Sequence, residues 1–153
     1  LGLPMPPSEL LDLVGLKVGA HVLDTHHNAF PDRFYRSENL HKLAEYGTLL
    51  EKDSKGKVKG FDTGALRIVS GGTEPLAADA ILRRLEDGLA DEIHRMLEDH
   101  VVEAAEDIDL CMILGAGWPF HLGGVTPYLD RVGASSRVFG GTFHDPEIRG
   151  LRD

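Results

Sequence analysis

The sequence predicts an all-α fold built from two helical units in tandem, and three observations predict it. The opening stretch LGLPMPPSELLDLVG, Leu1–Gly15, returns in degenerate form as LGAGWPFHLGGVTPYLDRVG, Leu114–Gly133, and both copies close on Leu-Asp-x-Val-Gly. Internal repetition of this kind constrains architecture before any local propensity does. A long amphipathic pattern from about Pro75 to Asp99, followed by a second helix from about Ala105 to Leu114, leads into the later copy. Between the copies, Thr48 to Gly72 is rich in Gly, Lys and Ser with few apolar anchors, which is the composition of a loop between packed units. Nothing precedes the first copy, so the chain is expected to begin part-way through its first unit and to be a fragment of something larger. The expected organisation is a truncated first repeat over 1–47, a linker over 48–72, a second repeat over 73–133 and an irregular tail over 134–153.

The elements follow in order. Pro6 and Pro7 pre-set a helical φ and Ser8 offers a hydroxyl cap, so a short helix begins there with Leu10, Leu11, Leu13 and Val14 as its apolar face and Gly15 as its stop. Helical spacing resumes with Leu16, Ala20 and Leu23 and runs to Asn28. His26 and His27 fall at that helix's C-terminal end, where an imidazolium interacts favourably with the dipole. As sequence neighbours they point to different faces and make poor co-ligands. Ser37 caps a third helix to Tyr46, with Leu40, Leu43 and Ala44 inward and Gly47 as terminator. In the linker, Val58–Phe61 and Leu66–Val69 are candidate strands, although a lone hairpin is marginal without packing.

The strongest helix opens at Pro75. Ile81, Leu82, Leu85, Leu89, Ile93, Met96 and Leu97 form its apolar stripe, with Arg83, Arg84, Glu86, Asp87, Glu92 and Glu98 opposite. Gly88 interrupts it at a cost of roughly 1 kcal/mol against Ala, for which close approach of another helix is the expected reason. Glu106, Asp107 and Asp109 give the next helix an acidic first turn, and Ile108, Cys111, Met112 and Leu114 are its expected buried stripe. GAGWPFHLGG, Gly115–Gly124, must be a tight loop, with Trp118 and Phe120 plugging the core beneath.

Composition removes several function classes. Apolar residues are 42% and charged residues 27%, ordinary for a globular chain, and no apolar run approaches the ~20 residues of a membrane span. A net charge of −9 argues against a nucleic-acid footprint. No signal peptide is expected, and the single cysteine, Cys111, forms no internal disulfide and reads as a small core residue, which suits a reducing, cytoplasmic setting.

Motifs for chemistry are sparse. Neither GAGWPFHLGG nor Ser70–Gly72 follows a strand and opens a helix as a dinucleotide fingerprint must. The sequence holds no Walker Gly-Lys-Ser/Thr, no His-Glu-x-x-His and no Gly-x-Ser-x-Gly. His94, His121, and His144 beside Asp145 are the candidates for a metal ligand or a base, but each lacks spaced partners, so a structural role is expected. No catalytic, cofactor-binding or metal residue is assigned.

The residues themselves point to a family. LGLPMPPSELLDLVGLKV resembles the signature of the C-terminal helical domain of 3-hydroxyacyl-CoA dehydrogenases, typically Gly-x-Pro-Met-Gly-Pro-Phe-Glu-Leu-Leu-Asp. Pro4, Met5, Pro7, Glu9, Leu10, Leu11 and Asp12 match it, while Pro6 replaces Gly and Ser8 replaces Phe. EDIDLCMILGAGWPFHLGGVTPYLDRVG is similar to the second copy of that domain in the multifunctional fatty-acid oxidation complex α-subunit, with Trp118 where Phe is commoner. The resemblance spans about Leu1 to Val132.

It implies repeats of the 6-phosphogluconate dehydrogenase C-terminal-domain type, the first truncated at its N-terminus. It implies an enzyme that oxidises (3S)-3-hydroxyacyl-CoA with NAD, whose catalytic His and Glu lie in a separate Rossmann domain and whose Asn lies upstream of the Pro-Met motif. The corresponding place in the second unit falls near Arg83 and Arg84, which offer no substitute. The fragment alone is therefore expected to bind no NAD and to be inactive, with Pro4, Met5 and Pro6 near the interdomain cleft as weak substrate contacts. The implied partners are upstream NAD-binding and enoyl-CoA hydratase domains, a thiolase subunit, the acyl-CoA substrate and a second copy in a homodimer. A non-catalytic dimerisation or docking module is the alternative.

Overall fold

The computed structural model describes residues 1–69 and 75–145. Among these the chain forms eight α-helices, one 3-10 turn and a single two-stranded hairpin, in agreement with the all-α expectation. The described residues divide into two compact units, one of residues 5–69 and the other of residues 1–4 with 75–145.

In the first unit, α1 (Pro7–Val14) and α2 (Leu16–Ala29) are separated only by Gly15, at φ +96°. Ser8 is not the cap. Pro6 holds that position in extended backbone with Pro7 just inside the helix, because a proline lacks the N–H that a cap would satisfy and so lets the helix start earlier. A Cβ on Gly19 would overlap Leu11 Cδ1, so the two helices meet there closely. In α3 (Glu38–Tyr46) the expected caps hold: Ser37 Oγ accepts from Leu40 N at 3.3 Å, and Gly47 ends the helix in the left-handed region. Asp24 on α2 accepts from His41 Nε2 of α3 at 3.0 Å and lies 3.2 Å from Arg36 Nε. His26 stacks on Phe34 at 5.0 Å and His27 Nδ1 lies 2.5 Å from Phe34 O, so both act structurally.

The described part of the expected linker is folded. β1 (Leu50–Lys52) pairs antiparallel with β2 (Val58–Phe61), Leu50 opposite Phe61, and α4 (Thr63–Val69) follows. Val58–Phe61 is thus a strand, but its partner is Leu50–Lys52, while Leu66–Val69 is helical. Packing explains this: Leu49, Leu50 and Ala65 are buried in one cluster with Leu16, Ala20, Leu43 and Ala44. Lys52 also pairs with Asp12 of α1. Asp62 caps α4, its Oδ1 accepting from Gly64 N at 2.8 Å, Ala65 N at 2.9 Å and the Tyr46 hydroxyl at 2.9 Å.

In the second unit, α5 (Ala78–Glu98), α6 (Ala105–Gly115), the 3-10 turn Phe120–Leu122, α7 (Val125–Arg131) and α8 (Ala134–Phe139) surround a core of Ala90, Ile93, Ile108, Trp118, Val125, Leu129 and Ala134. The short α7 is its centre, because Val125, Thr126, Leu129 and Asp130 are all buried. Four expectations are corrected here. Ile81, Leu82 and Leu85 are exposed whereas Glu86, expected outward, is buried, since α7 and α8 pack on α5 through polar groups: Tyr128 of α7 donates to Glu86 Oε1 at 2.6 Å, and Arg137 of α8 pairs with Asp87 at 2.7 Å and lies 3.7 Å from Glu86. Cys111 and Leu114 are exposed, because only the Ile108 and Met112 side of α6 meets the core. Trp118 is buried but Phe120 is 82% exposed. The expected irregular tail begins with α8, whose Ala134 and Ser135 are fully buried, and its residues beyond 145 lie outside the described part, as do Ser70–Gly72.

Among the described residues Trp118 Nε1 has no hydrogen-bond partner. An unpaired buried donor costs about 1–3 kcal/mol, less than the ~3–5 kcal/mol that truncating a buried aromatic costs, so the ring's burial outweighs the orphan group.

Three predictions test these assignments. A Cβ on Gly88 would meet nothing within 4 Å, contrary to the expected helix contact. Gly88→Ala should therefore raise unfolding stability by about 0.5–1 kcal/mol in urea titration. Hydrogen bonds from Ala65 N, Tyr46 and Gly64 hold the Asp62 carboxyl below its ordinary range. That stability is present above the unfolded value near ~4 and lost as pH falls through the folded one, so Asp62→Asn should lower Tm at pH 7 and leave it unchanged at the acid end. Desolvation and the bond to Glu86 push the Tyr128 hydroxyl up to about 12. Its contribution is complete below about 10 and lost as pH rises toward the folded value, and Tyr128→Phe should remove the corresponding slope from alkaline melting curves.

Candidate functional site

The sequence-predicted contact residues separate. Pro4 packs within the unit of residues 75–145, whereas Met5, 37% exposed, and Pro6, the exposed cap of α1, belong to the other unit. Pro4 lies against Gly117: a Cβ there would sit 3.0 Å from Pro4 Cγ, and one on Gly2 would sit 2.9 Å from Pro119 Cγ. The Gly2-x-Pro4 of the early copy and the Gly117-x-Pro119 of the later copy thus meet crosswise, each glycine beneath the other's proline. Both glycines have φ near +70°. The repeated motif was legible in the sequence, but its self-contact was not.

The densest polar constellation lies at the junction of α6 and α7, and sequence reasoning missed most of it. Asp109 Oδ1 accepts from Thr126 N at 2.8 Å and Oδ2 accepts from the Thr126 hydroxyl at 2.7 Å. His144 Nε2 lies 2.7 Å from the same hydroxyl oxygen. The hydroxyl has one proton, given to Asp109, so Nε2 carries a hydrogen and donates. A base-and-nucleophile reading fails on that bookkeeping, and Thr126 is also fully buried. Asp130, 5% exposed, accepts from Ser135 Oγ at 2.5 Å and from the backbone N–H of Phe143 and His144 at 3.0 Å each. Together these bonds strap residues 142–144 onto α7. The signal available was the acidic Asp-Ile-Asp run and the Asp of Leu-Asp-x-Val-Gly; the donors lie too far along the chain to be paired by spacing.

The other candidate histidines have structural surroundings. His94 stacks on Phe139 at 4.2 Å and lies 3.4 Å from Glu98, and His121 is exposed in the 3-10 turn. Among the described residues no group of three or more His, Cys, Asp or Glu gathers to hold a metal. The described residues do not fit a nicotinamide dinucleotide either. The strand-to-helix turn between β2 and α4 has its helix N–H groups already occupied by the Asp62 carboxylate, which would repel a pyrophosphate, and the two strands form an antiparallel hairpin rather than a parallel crossover unit. Among the described residues no helix is long and apolar enough to cross a membrane. A Cβ on Gly124 would overlap the Asp109 carboxylate. Gly124→Ala should therefore displace Asp109 from Thr126 and cost about 1–3 kcal/mol in urea titration, whereas Gly115→Ala, whose Cβ would meet nothing within 4 Å, leaves that junction intact.

Comparison with known proteins agrees with the helical C-terminal-domain reading. Residues 1–60 match the model of the 3-hydroxyacyl-CoA dehydrogenase C-terminal domain. Similar proteins include fatty acid oxidation complex subunit alpha of Acinetobacter baumannii (strain SDF), 32% identical over 90% of this chain and 22% of that protein, and of Acinetobacter baylyi, 31% identical over the same shares. The subunit of Psychrobacter sp. is 33% identical over 86% of this chain and 21% of its own length. The chain thus spans about a fifth of the length of these relatives. The motif at Leu1–Asp12, the helical fold that carries it and these matches agree: residues 1–60 match the 3-hydroxyacyl-CoA dehydrogenase C-terminal domain, and the chain as a whole is similar to about a fifth of fatty acid oxidation complex subunit alpha.

Proposed function

We propose that the chain is the C-terminal helical part of an NAD-dependent 3-hydroxyacyl-CoA dehydrogenase of fatty-acid β-oxidation. It contributes to the substrate cleft and to domain packing, while the nucleotide-binding domain and the reacting side chains lie outside these 153 residues. The observation that carries this reading is the family match over residues 1–60, which includes the Pro-Met-x-Pro signature. Hydride transfer needs a bound nicotinamide and a positioned base, and the described residues supply a site for neither. NAD belongs to the full-length enzyme, with upstream nucleotide-binding and hydratase domains and a thiolase subunit as the partners and the cytoplasm as the setting. Two tandem repeats of the 6-phosphogluconate dehydrogenase C-terminal type, the second resuming near residue 73, are the architecture this implies; Leu-Asp-x-Val-Gly ending α1 and α7 at or near a positive-φ glycine supports it. Met5 and its neighbours Pro4 and Pro6 are the proposed acyl contacts.

A second reading, a dimerisation or docking module, is favoured by one observation. Leu10, Leu13 and Val14 of α1 and Val18 and Val22 of α2 are each 46–69% exposed, a concentration of apolar surface on two short helices.

The purified chain should show no turnover of acetoacetyl-CoA with NADH, and supplying the upstream nucleotide-binding segment should restore it. Turnover by the chain alone would refute the argument that the reacting groups lie elsewhere. Partner capture without rescue would favour the docking module.

A further inference from the structure

A cavity of about 280 Å³ lies between α5 and α6, walled by Leu89, Ile93 and Met96 of α5 and Ile108, Cys111 and Met112 of α6. No polar atom faces into it. Val102 and Val125 complete the lining, and Glu92 turns no polar atom into it. Cys111 is exposed and marks the mouth. Apolar side chains from four successive parts of one unit converge here without filling the space, whereas voids larger than a water molecule are few in a well-packed core. Water gains little in such a cavity, because it finds no hydrogen-bond partner there.

We propose that this cavity is a binding site for the hydrocarbon tail of an acyl thioester, distinct from the cleft assigned to Pro4, Met5 and Pro6. The choice of an acyl group rests on the dehydrogenase reading; the apolar site itself does not. Size supports it: an apolar cavity of about 150 Å³ takes benzene, so a space of about 280 Å³ takes a chain of roughly eight to ten carbons. The two methionines are unbranched and polarisable, and fit themselves to a flexible chain better than β-branched residues do. Charge excludes the free acid. A carboxylate would enter a cavity with Glu92 in its lining on a chain of net charge −9, whereas a thioester head is uncharged.

Cys111, the single cysteine of the chain, reports occupancy directly. Its alkylation by N-ethylmaleimide is measured on the purified chain with increasing S-octanoyl-N-acetylcysteamine, an uncharged thioester, with S-acetyl-N-acetylcysteamine and octanoate as comparisons. The octanoyl thioester should slow alkylation saturably, about tenfold at ten times Kd, and raise Tm in parallel. The acetyl thioester, with the same head and no tail, should do neither, and octanoate should protect more weakly. Met96→Phe and Val102→Phe each place a larger side chain in the lining, and whichever melts cooperatively should lose the protection. Absence of saturable protection in the parent chain, equal protection by the acetyl thioester, or protection retained in a cooperatively melting filled variant would overturn the proposal. Protection by octanoate equal to that by the thioester would overturn the choice of head group. None of these readouts involves NADH, so failure here is separable from failure of the dehydrogenase reading.

Discussion

The unit of residues 75–145 depends on one half-buried carboxylate. Asp109 lies against the bare backbone of Gly124 and satisfies both the N–H and the hydroxyl of Thr126. An α-helix leaves its first four N–H groups without partners, and α7 begins inside the core, where water cannot supply them. A carboxylate from the neighbouring helix accepts one of them, the Thr126 N–H, and thereby fixes where α6 and α7 meet. Val125 and Leu129 can then be buried completely, and Trp118 closes over them with its ring edge-on to Tyr128.

The same device recurs with other partners. Asp130 gathers Ser135 and the backbone of residues 143 and 144, Glu86 takes the Tyr128 hydroxyl beneath Arg137, and in the other unit Asp62 caps α4 while holding Tyr46. Each is an acidic side chain at least partly withdrawn from water and supplied with donors. Burying an ionised carboxylate without donors costs far more than any apolar contact returns. These joints therefore select one arrangement of short helices whose apolar faces alone would accept several.

Among the described residues no group of three or more His, Cys, Asp or Glu gathers to hold a metal. The apolar lining of the cavity between α5 and α6 and the exposed apolar residues of α1 and α2 are the surfaces on which the proposed acyl-binding and docking roles rest.

Much of this was legible in the sequence. The starts and stops of α2, α3, α5 and α6 follow from apolar spacing, from Ser37 and from Gly15 and Gly47, because caps and periodicity are local properties of the chain. The resemblance at Leu1–Asp12, within the family match over residues 1–60, was legible for the same reason: it is a contiguous run of side chains. What the tertiary structure alone decided was which face of each helix meets the core. On α5 and α6 apolar residues wrap much of the surface, so spacing could not show that Ile81, Leu85, Cys111 and Leu114 face outward while Glu86 turns in. The hairpin and α4 were hidden because their buried anchors, Leu49, Leu50 and Ala65, are few and gain their stability from α2 and α3, not from each other. The carboxylate joints were equally hidden, since Asp109 and Thr126, or Asp130 and His144, are brought together only by folding, and no spacing rule encodes a partner that lies on another element.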